Sequence, residues 1–540
     1  MARYDHLKLV RLPERLERRK TGGGGPPPAR DRATHPGKVR EQLDQAIEVQ
    51  RQRRKPEMVD PSLILRVSMT GASMEEEWAK LGLTVVSSDM DKSLILFSSR
   101  EEMDQLIARI DAYSGEIPKG QKNPSYQGFI HAIDSIGVVQ PKDRVGPRFQ
   151  EDGFAEIADF VADEMYWVDI EVWQIGRREA RERKLNQIED YIIAKSGEVT
   201  DRYVGPSLTV ARAHISGALL VSLLKIEEIA TIDLPPQPDF ETEEALEMEL
   251  GGMPVPNSLP DDAPIIGIID SGINDHPMLA DILVGSIAVP ATLGTADDFG
   301  HGTRVGSIAA FGDIRAQINA GTMNPGARLC SAKVVNGNGQ FDNRRLVPTQ
   351  MRDAITGLNE QFDCRIFVIS LGDRKLPYKG GKVGIWAATL DELARELDVV
   401  IFVSSGNRRP RSGNRVEEGI TDYPLYLMED SNRFFEPAGA MNVMTVGSIS
   451  HGEGIDGNLA AFPNVRAITR EGEPSPFSRI GPGMAGSIKP DLVEVGGTMV
   501  YDATVMRLRQ GDDLPSAGVL ALHHAYLGSG PIKIWDSHRQ

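Results

Sequence analysis

Three places in the sequence put a reactive side chain where an apolar strand gives way to a loop or a helix. The apolar run in PIIGIIDSGINDHP closes on Asp270, and a carboxylate at the C-terminal end of a parallel strand stands where α/β folds place their sites. In DDFGHGTRVGSIAA, His301 lies between two glycines, directly before small residues at helical spacing. That is the pattern of a helix entry that must approach another backbone closely. The apolar run of VVIFVSSGN ends at Asn407. Carboxylate, imidazole and carboxamide are the side chains from which general-base and oxyanion chemistry is built. Taken singly, DSG and SSGN also read as turns that end strands, the second with an Asn that tolerates a left-handed backbone.

The blocks around Asp270 and His301 together resemble the Asp and His motifs of the subtilisin-like serine protease family, in that family's order along the chain. The resemblance runs from about Asp262 to Gly497, and includes Ser370-Leu371-Gly372 in CRIFVISLGD and Ser405-Gly406-Asn407 in VVIFVSSGN. It implies a serine endopeptidase in which His301 takes the proton of a serine hydroxyl as it attacks a peptide carbonyl and passes it to the leaving amine. Asp270 would fix the imidazole tautomer and stabilise the imidazolium. It further implies that Ser370, Leu371 and Gly372 form an edge pairing with an extended substrate, with Ser405 and Gly406 beside it. Asn407 would donate to the oxyanion, an interaction worth about 3 kcal/mol in the transition state.

The same resemblance requires a Gly-Thr-Ser block that opens a long buried helix, and no such block is present. Gly497-Thr498-Met499 carries methionine in the third place, while Ser516 in LPSAG and Ser529 in LGSGP have neither a preceding Thr nor a following apolar helix. The expectation is a peptidase domain that is incomplete at its C-terminus, a truncated or frame-shifted end being simpler than a displaced nucleophile. A sheet without that helix would expose an apolar face. The alternative of a different class is a non-catalytic adaptor whose cleft grips an extended peptide without cutting it.

These residues need a frame, and the spacing of apolar residues supplies one. The expected architecture is α/β, a mainly parallel subtilisin-like sheet with helices on both faces, preceded by two small α+β domains of ferredoxin-like or propeptide-like kind. Residues 1–60 read as a basic flexible tail containing GGGGPPP at Gly22–Pro28 and a helix around Val39–Arg54. Residues 61–150 follow a βαββα order: strands in LILRVSM, TVVSSD and SLILFSS, helices in MEEEWAKLG and REEMDQLIARIDAY. Residues 151–238 repeat a similar order and end in ISGALLVSLLKIEEIATIDLPP, which resembles the close of the propeptides that cap the cleft in subtilisin-like precursors. Residues 239–261 read as an acidic linker, and 262–540 as the peptidase domain.

A chain of 540 residues with a formal charge of −17 shows no domain-wide basic footprint, which argues against nucleic-acid binding. The N-terminus lacks the apolar stretch of a secretory signal and no segment approaches membrane-spanning length, so the expectation is a cytoplasmic protein without membrane contact. Its partners would be protein or peptide substrates. The resemblance adds an AAA-type ATPase, found beside some intracellular members. Cys330 and Cys364 read as buried free thiols. No metal or cofactor is expected from spacing, calcium being implied by the resemblance alone.

Overall fold

The computed structural model describes residues 29–52, 63–69, 78, 81, 84–88, 93–98, 100–238, 240, 247–250, 253–408, 422–452, 464–509, 515–525 and 532–537. They fall into two compact units divided between Val139 and Gln140.

In the first unit, α1 (His35–Gln52) is followed by β1 (Leu63–Met69), β2 (Thr84–Ser88), β3 (Ser93–Ser98), α2 (Arg100–Ser114), α3 (Gln127–Ala132) and β4 (Ile133–Val138). The sheet is antiparallel, in the order β2-β3-β1-β4. Of the helix expected within MEEEWAKLG, only Trp78 and Leu81 are among the described residues, both buried. One expectation is corrected here. The helix near Val39 does not belong to a solvated tail, because α1 buries Val39, Leu43 and Ala46 in the core with Leu65, Trp78 and Leu106. That apolar stripe at helical spacing outweighs the basic residues on the opposite face.

The second unit opens with α4 (Pro147–Glu151), β5 (Met165–Val172), α5 (Arg178–Ala194), β6 (Glu198–Val204), β7 (Thr209–Ser216), α6 (Gly217–Leu223) and β8 (Ile229–Asp233). Its sheet is antiparallel with order β6-β7-β5-β8, the same circuit as in the first unit. Phe149 of α4 packs in this core with Val168, Leu185 and Leu220, so an expected boundary at residue 150 cuts through an element of this domain. The strand β6 was not anticipated. Segment 239–261, expected as a linker, contains β9 (Glu247–Leu250).

The rest of the unit is built on a seven-stranded sheet, all parallel. Its strands are β10 (Ile265–Asp270), β11 (Leu283–Ala288), β12 (Arg328–Lys333), β13 (Ile366–Ile369), β15 (Val400–Ser404), β17 (Met444–Ile449) and β18 (Leu492–Val495), in the order β11-β12-β10-β13-β15-β17-β18. Two short strands, β14 (Asp373–Pro377) and β16 (Phe435–Glu436), pair beside it. Near the end of the chain β19 (Val519–Leu522) and β20 (Ile532–Ser537) form a small sheet with β9.

Two cores sandwich the parallel sheet, as its continuous apolar strands require. One face carries α7 (His301–Phe311) and α8 (Ile314–Ala320), with Ile268, Leu279, Phe311, Leu329 and Leu522 in the core. The other carries α9 (Val347–Phe362) and α10 (Ile385–Leu397), over Ile269, Met351, Phe367, Trp386 and Ile401. Cys330 and Cys364 are both free and buried in this second core. The outermost strand, β18, exposes Leu492, Val493 and Val495.

Candidate active site

The order of strands decides where a site can form. After β10 the chain builds outward to β11 and returns through β12, then crosses to the other side of β10 at β13. Connections diverge at the C-terminal end of β10, and such a switch point leaves a crevice. Asp270 is the last residue of that strand. In register, Ile268 pairs with Val368 and Ile369 with Val403, so the chain leaves the sheet at Asp270, at Ser370 and at Ser404–Ser405 along one edge.

His301 is the first residue of α7. Its Nδ1 lies 2.8 Å and 2.9 Å from the two carboxylate oxygens of Asp270, which is almost completely buried. An imidazole held through Nδ1 by a buried carboxylate leaves Nε2 to take a proton. Nδ1 is the only side-chain atom of His301 that hydrogen-bonds among the described residues.

Holding α7 against β10 takes a cluster that sequence reading did not single out. Buried Asp297 accepts at Oδ1 from Ser271 Oγ (2.8 Å) and from the amides of Phe299 (3.3 Å) and Gly300 (2.6 Å). At Oδ2 it accepts from Thr303 N (2.8 Å) and Thr303 Oγ1 (2.6 Å). Ser271 Oγ in turn accepts from Gly302 N at 2.8 Å. The first amides of α7, which have no partner within the helix, are thus satisfied by side chains from the loop after β10 and the loop before the helix. Asn274 ties the loops further, accepting from Asp297 N (2.7 Å) and donating to Asp297 O (2.9 Å). A Cβ on Gly302 would run into the carbonyl oxygen of Gly272. Only glycine lets the helix come this near. The signal for Asp297 was present in DDFGHG, where a carboxylate precedes a glycine-flanked helix start.

His276 follows on the same loop, buried, with Nδ1 accepting from Met278 N at 3.1 Å. Burial, with His523 nearby, lowers its pKa to about 4.

The remaining expected residues gather around Phe435. Ser405 is buried and its amide donates to Val446 O at 2.9 Å. Gly406 has φ +92, and its Cα faces the Phe435 ring, where a side chain would clash at 2.6 Å. A side chain on Gly372 would meet the same ring at 3.8 Å, and Leu371, just before it, is buried in the core. Asn407 bridges to Ser478, its carbonyl accepts from Arg479 Nε at 2.7 Å, and its side-chain oxygen is buried without a hydrogen bond. Arg479 also lies 3.7 Å over the Phe435 ring and donates to Ser431 O and Arg433 O. Of the serines considered as nucleophile, Ser516 sits in a short 3-10 turn with its hydroxyl buried and unbonded; Ser529 lies outside the described residues. Met499, third residue of the Gly497-Thr498-Met499 block that lies upstream of where the resemblance puts the serine, is buried.

One further residue reaches His301. Phe240, beyond the end of β8, packs its ring edge-on to the imidazole with centroids 4.9 Å apart and also contacts Phe299. The chain leading to it is anchored by Gln237, which accepts from Phe341 N at 3.0 Å and donates to Asn343 at 3.1 Å. The central domain behind it is seated by Arg212, whose Nη1 donates to Asn343 O and Arg345 O at 2.7 and 2.8 Å. Glu392 of α10 accepts from Tyr203 and Ser207 of the same domain.

Parallel sheet, switch-point crevice and Asp–His couple define a peptidase domain of the Subtilase family, and residues 261–523 match that family. The chain belongs to it. Residues 33–140 match the Y4kK N-terminal domain and 143–234 the Y4kK central domain. The chain is 55% identical over 285 residues to "Uncharacterized protein y4kK" of Sinorhizobium fredii (strain NBRC 101917 / NGR234), across 53% of this chain and 91% of that protein. To "Uncharacterized protein y4bN" of the same organism it is 66% identical over 181 residues, across 34% of this chain and only 42% of that protein. Among solved structures, the psychrophilic subtilisin-like protease Apa1 from the Antarctic psychrotroph Pseudoalteromonas sp. AS-11 is 16% identical, with TM-score 0.28, 48% of this chain and 43% of that chain covered. The S41 psychrophilic protease is 18% identical, with TM-score 0.25 and coverage of 35% and 55%. No helix among the described residues is long and apolar enough to cross a membrane.

Proposed function

We propose that this chain is a serine-type endopeptidase unit of the subtilisin-like kind, its nucleophilic serine not identified in the sequence, held closed by its own central domain. Asp270 and His301 form the general base, Asn407 supplies the oxyanion donor, and Ser370–Gly372 with Ser405–Gly406 flank an extended peptide. The observation that carries the reading is the buried Asp270 carboxylate on His301 Nδ1, the arrangement that readies Nε2 to accept a hydroxyl proton. Phe240 supports closure, since its ring stands against the imidazole that a substrate must approach. A second reading, peptide binding without cleavage, is favoured by a sequence in which no Gly-Thr-Ser block occurs.

The test is labelling of the folded chain with a fluorophosphonate probe and mapping of the labelled peptide, alongside His301→Ala. A serine labelled in the native chain and lost in the variant supports the enzyme; a folded chain that never labels, yet binds extended peptides, supports the second reading.

A further inference from the structure

One buried guanidinium outside the site is shared between two domains. Arg148, on α4 of the central domain, donates through Nη1 to Asp233 of its own domain at 3.0 Å. Through Nε and Nη2 it donates to Asp373 and Glu436 of the peptidase domain, each at 2.5 Å. All four side chains are less than a tenth exposed.

The peptidase half of this cluster is built to hold a planar cation. Asp373 Oδ1 is committed to Lys375 N at 3.0 Å. Glu436 Oε1 accepts from Trp386 N and Ala387 N at the start of α10, entering where Gly384 has no side chain. Each carboxylate therefore presents its second oxygen to a separate nitrogen of one guanidinium. An ammonium, a single compact charge, does not span two acceptors in this way.

The pair also lies on the path to the site. Asp373 directly follows Gly372 at the expected substrate edge. It lines a cavity of about 470 Å³ with Leu234, Pro235, Pro238 and Asn343. The chain runs from Asp233, past this cavity, to Phe240 at His301. A peptide lying in the same direction would pass Asp373 and Glu436 before it presents a bond to His301. Were the central domain to withdraw and take Arg148 with it, the two carboxylates would lose their counter-charge and their cover together and would stand open to another cation.

We infer that Asp373 and Glu436 form an arginine-recognition pocket of the peptidase domain, filled by Arg148 in the closed form and by an arginine of the bound peptide, on the amino-terminal side of the presented bond, in the open form. This rests on the peptide-cleft reading given above.

The experiment uses the full chain with Arg148→Gln and fluorescent extended peptides carrying one arginine, the same peptides carrying citrulline or lysine instead, and binding read by anisotropy. The arginine peptide should bind the variant tighter than the citrulline and lysine peptides by roughly tenfold or more, and Glu436→Gln added to the variant should erase that preference. Equal, measurable binding of all three overturns the pocket while leaving the peptide cleft standing. Binding of none overturns the pocket and the cleft together. Should Arg148→Gln not fold, refolding is compared with methylguanidinium and with methylammonium: recovery with methylguanidinium alone supports the pocket, and recovery with both or neither overturns it.

Discussion

Two of the buried charged clusters among the described residues, one around Asp297 and one around Arg148, are assembled in opposite ways. The cluster around Asp297 draws its partners from the loop after β10 and the first turn of α7, and it serves to set one helix against one strand. The cluster around Arg148 joins residues separated by 85, 225 and 288 positions, and serves to seat one domain on another. In the first, a carboxylate is neutralised by amide and hydroxyl donors. In the second, three carboxylates depend on a single cation. The contrast teaches that the same burial gives rigidity in one place and a reversible contact in the other, because only the second can exchange its cation.

The largest effect should come from Arg148→Met, which leaves three carboxylates buried without a counter-charge and should cost about 3–5 kcal/mol of stability, read by urea unfolding. A cost below that of Asp297→Ala would break the contrast. Asp297→Ala strips acceptors from the amides of α7 and from two hydroxyls, and should cost about 1–3 kcal/mol, with a matching loss of any His301-dependent labelling. Gly302→Ala should cost about 1–3 kcal/mol through the collision with Gly272 and should disturb His301 without touching the Arg148 cluster. Smallest of all, Arg344→Ala removes an exposed pair with Glu198 and should leave the urea midpoint nearly unchanged.

Acid sharpens the same comparison. His276, on the side of the site, has its pKa lowered from 6.5 to about 4 by burial and, secondarily, by His523. The unfolded chain takes that proton first, so this contribution to stability is present above pH 6.5 and is lost as pH falls toward 4. Asp233, in the seam, runs the other way. Burial, partly offset by Arg148, raises its pKa from 3.8 to about 6, so its contribution is present below pH 3.8 and is lost as pH rises through 6. Unfolding midpoints measured across this range should lose their acid-side decline in His276→Leu and their decline with rising pH in Asp233→Asn. Unchanged slopes in both variants would remove the distinction.

How much could be read in advance follows from the same difference. Asp270 and His301 each end or begin an element within a short patterned stretch, and the family resemblance, not the pattern, is what implied their approach to each other. The strands of both α+β domains were readable where apolar residues alternate cleanly. EVTDRYV was missed as β6 because charged residues occupy its outward positions. The helix α1 was assigned to a tail because residues 1–60 are rich in Arg and Lys, which masked the stripe of Val39, Leu43 and Ala46. Arg148, Asp233, Asp373 and Glu436 stand in VGPRFQ, TIDLPP, LGDRK and FFEPA, none of which carries a local pattern. Only the folded chain brings them together. Phe240 was hidden for the same reason, since nothing in DFETEE announces a ring beside an imidazole.

The outermost strand β18 has a bearing on how the protein behaves at high concentration. Leu492, Val493 and Val495 face solvent along an edge that no other described strand covers, and such an edge is a template on which a second chain can continue the sheet. Glu494 is the only charge on this strand and the feature that keeps two such edges apart by repulsion. Colloidal behaviour therefore hinges on one side chain: a neutral residue at position 494 should turn a dispersed protein into one whose light scattering climbs with concentration.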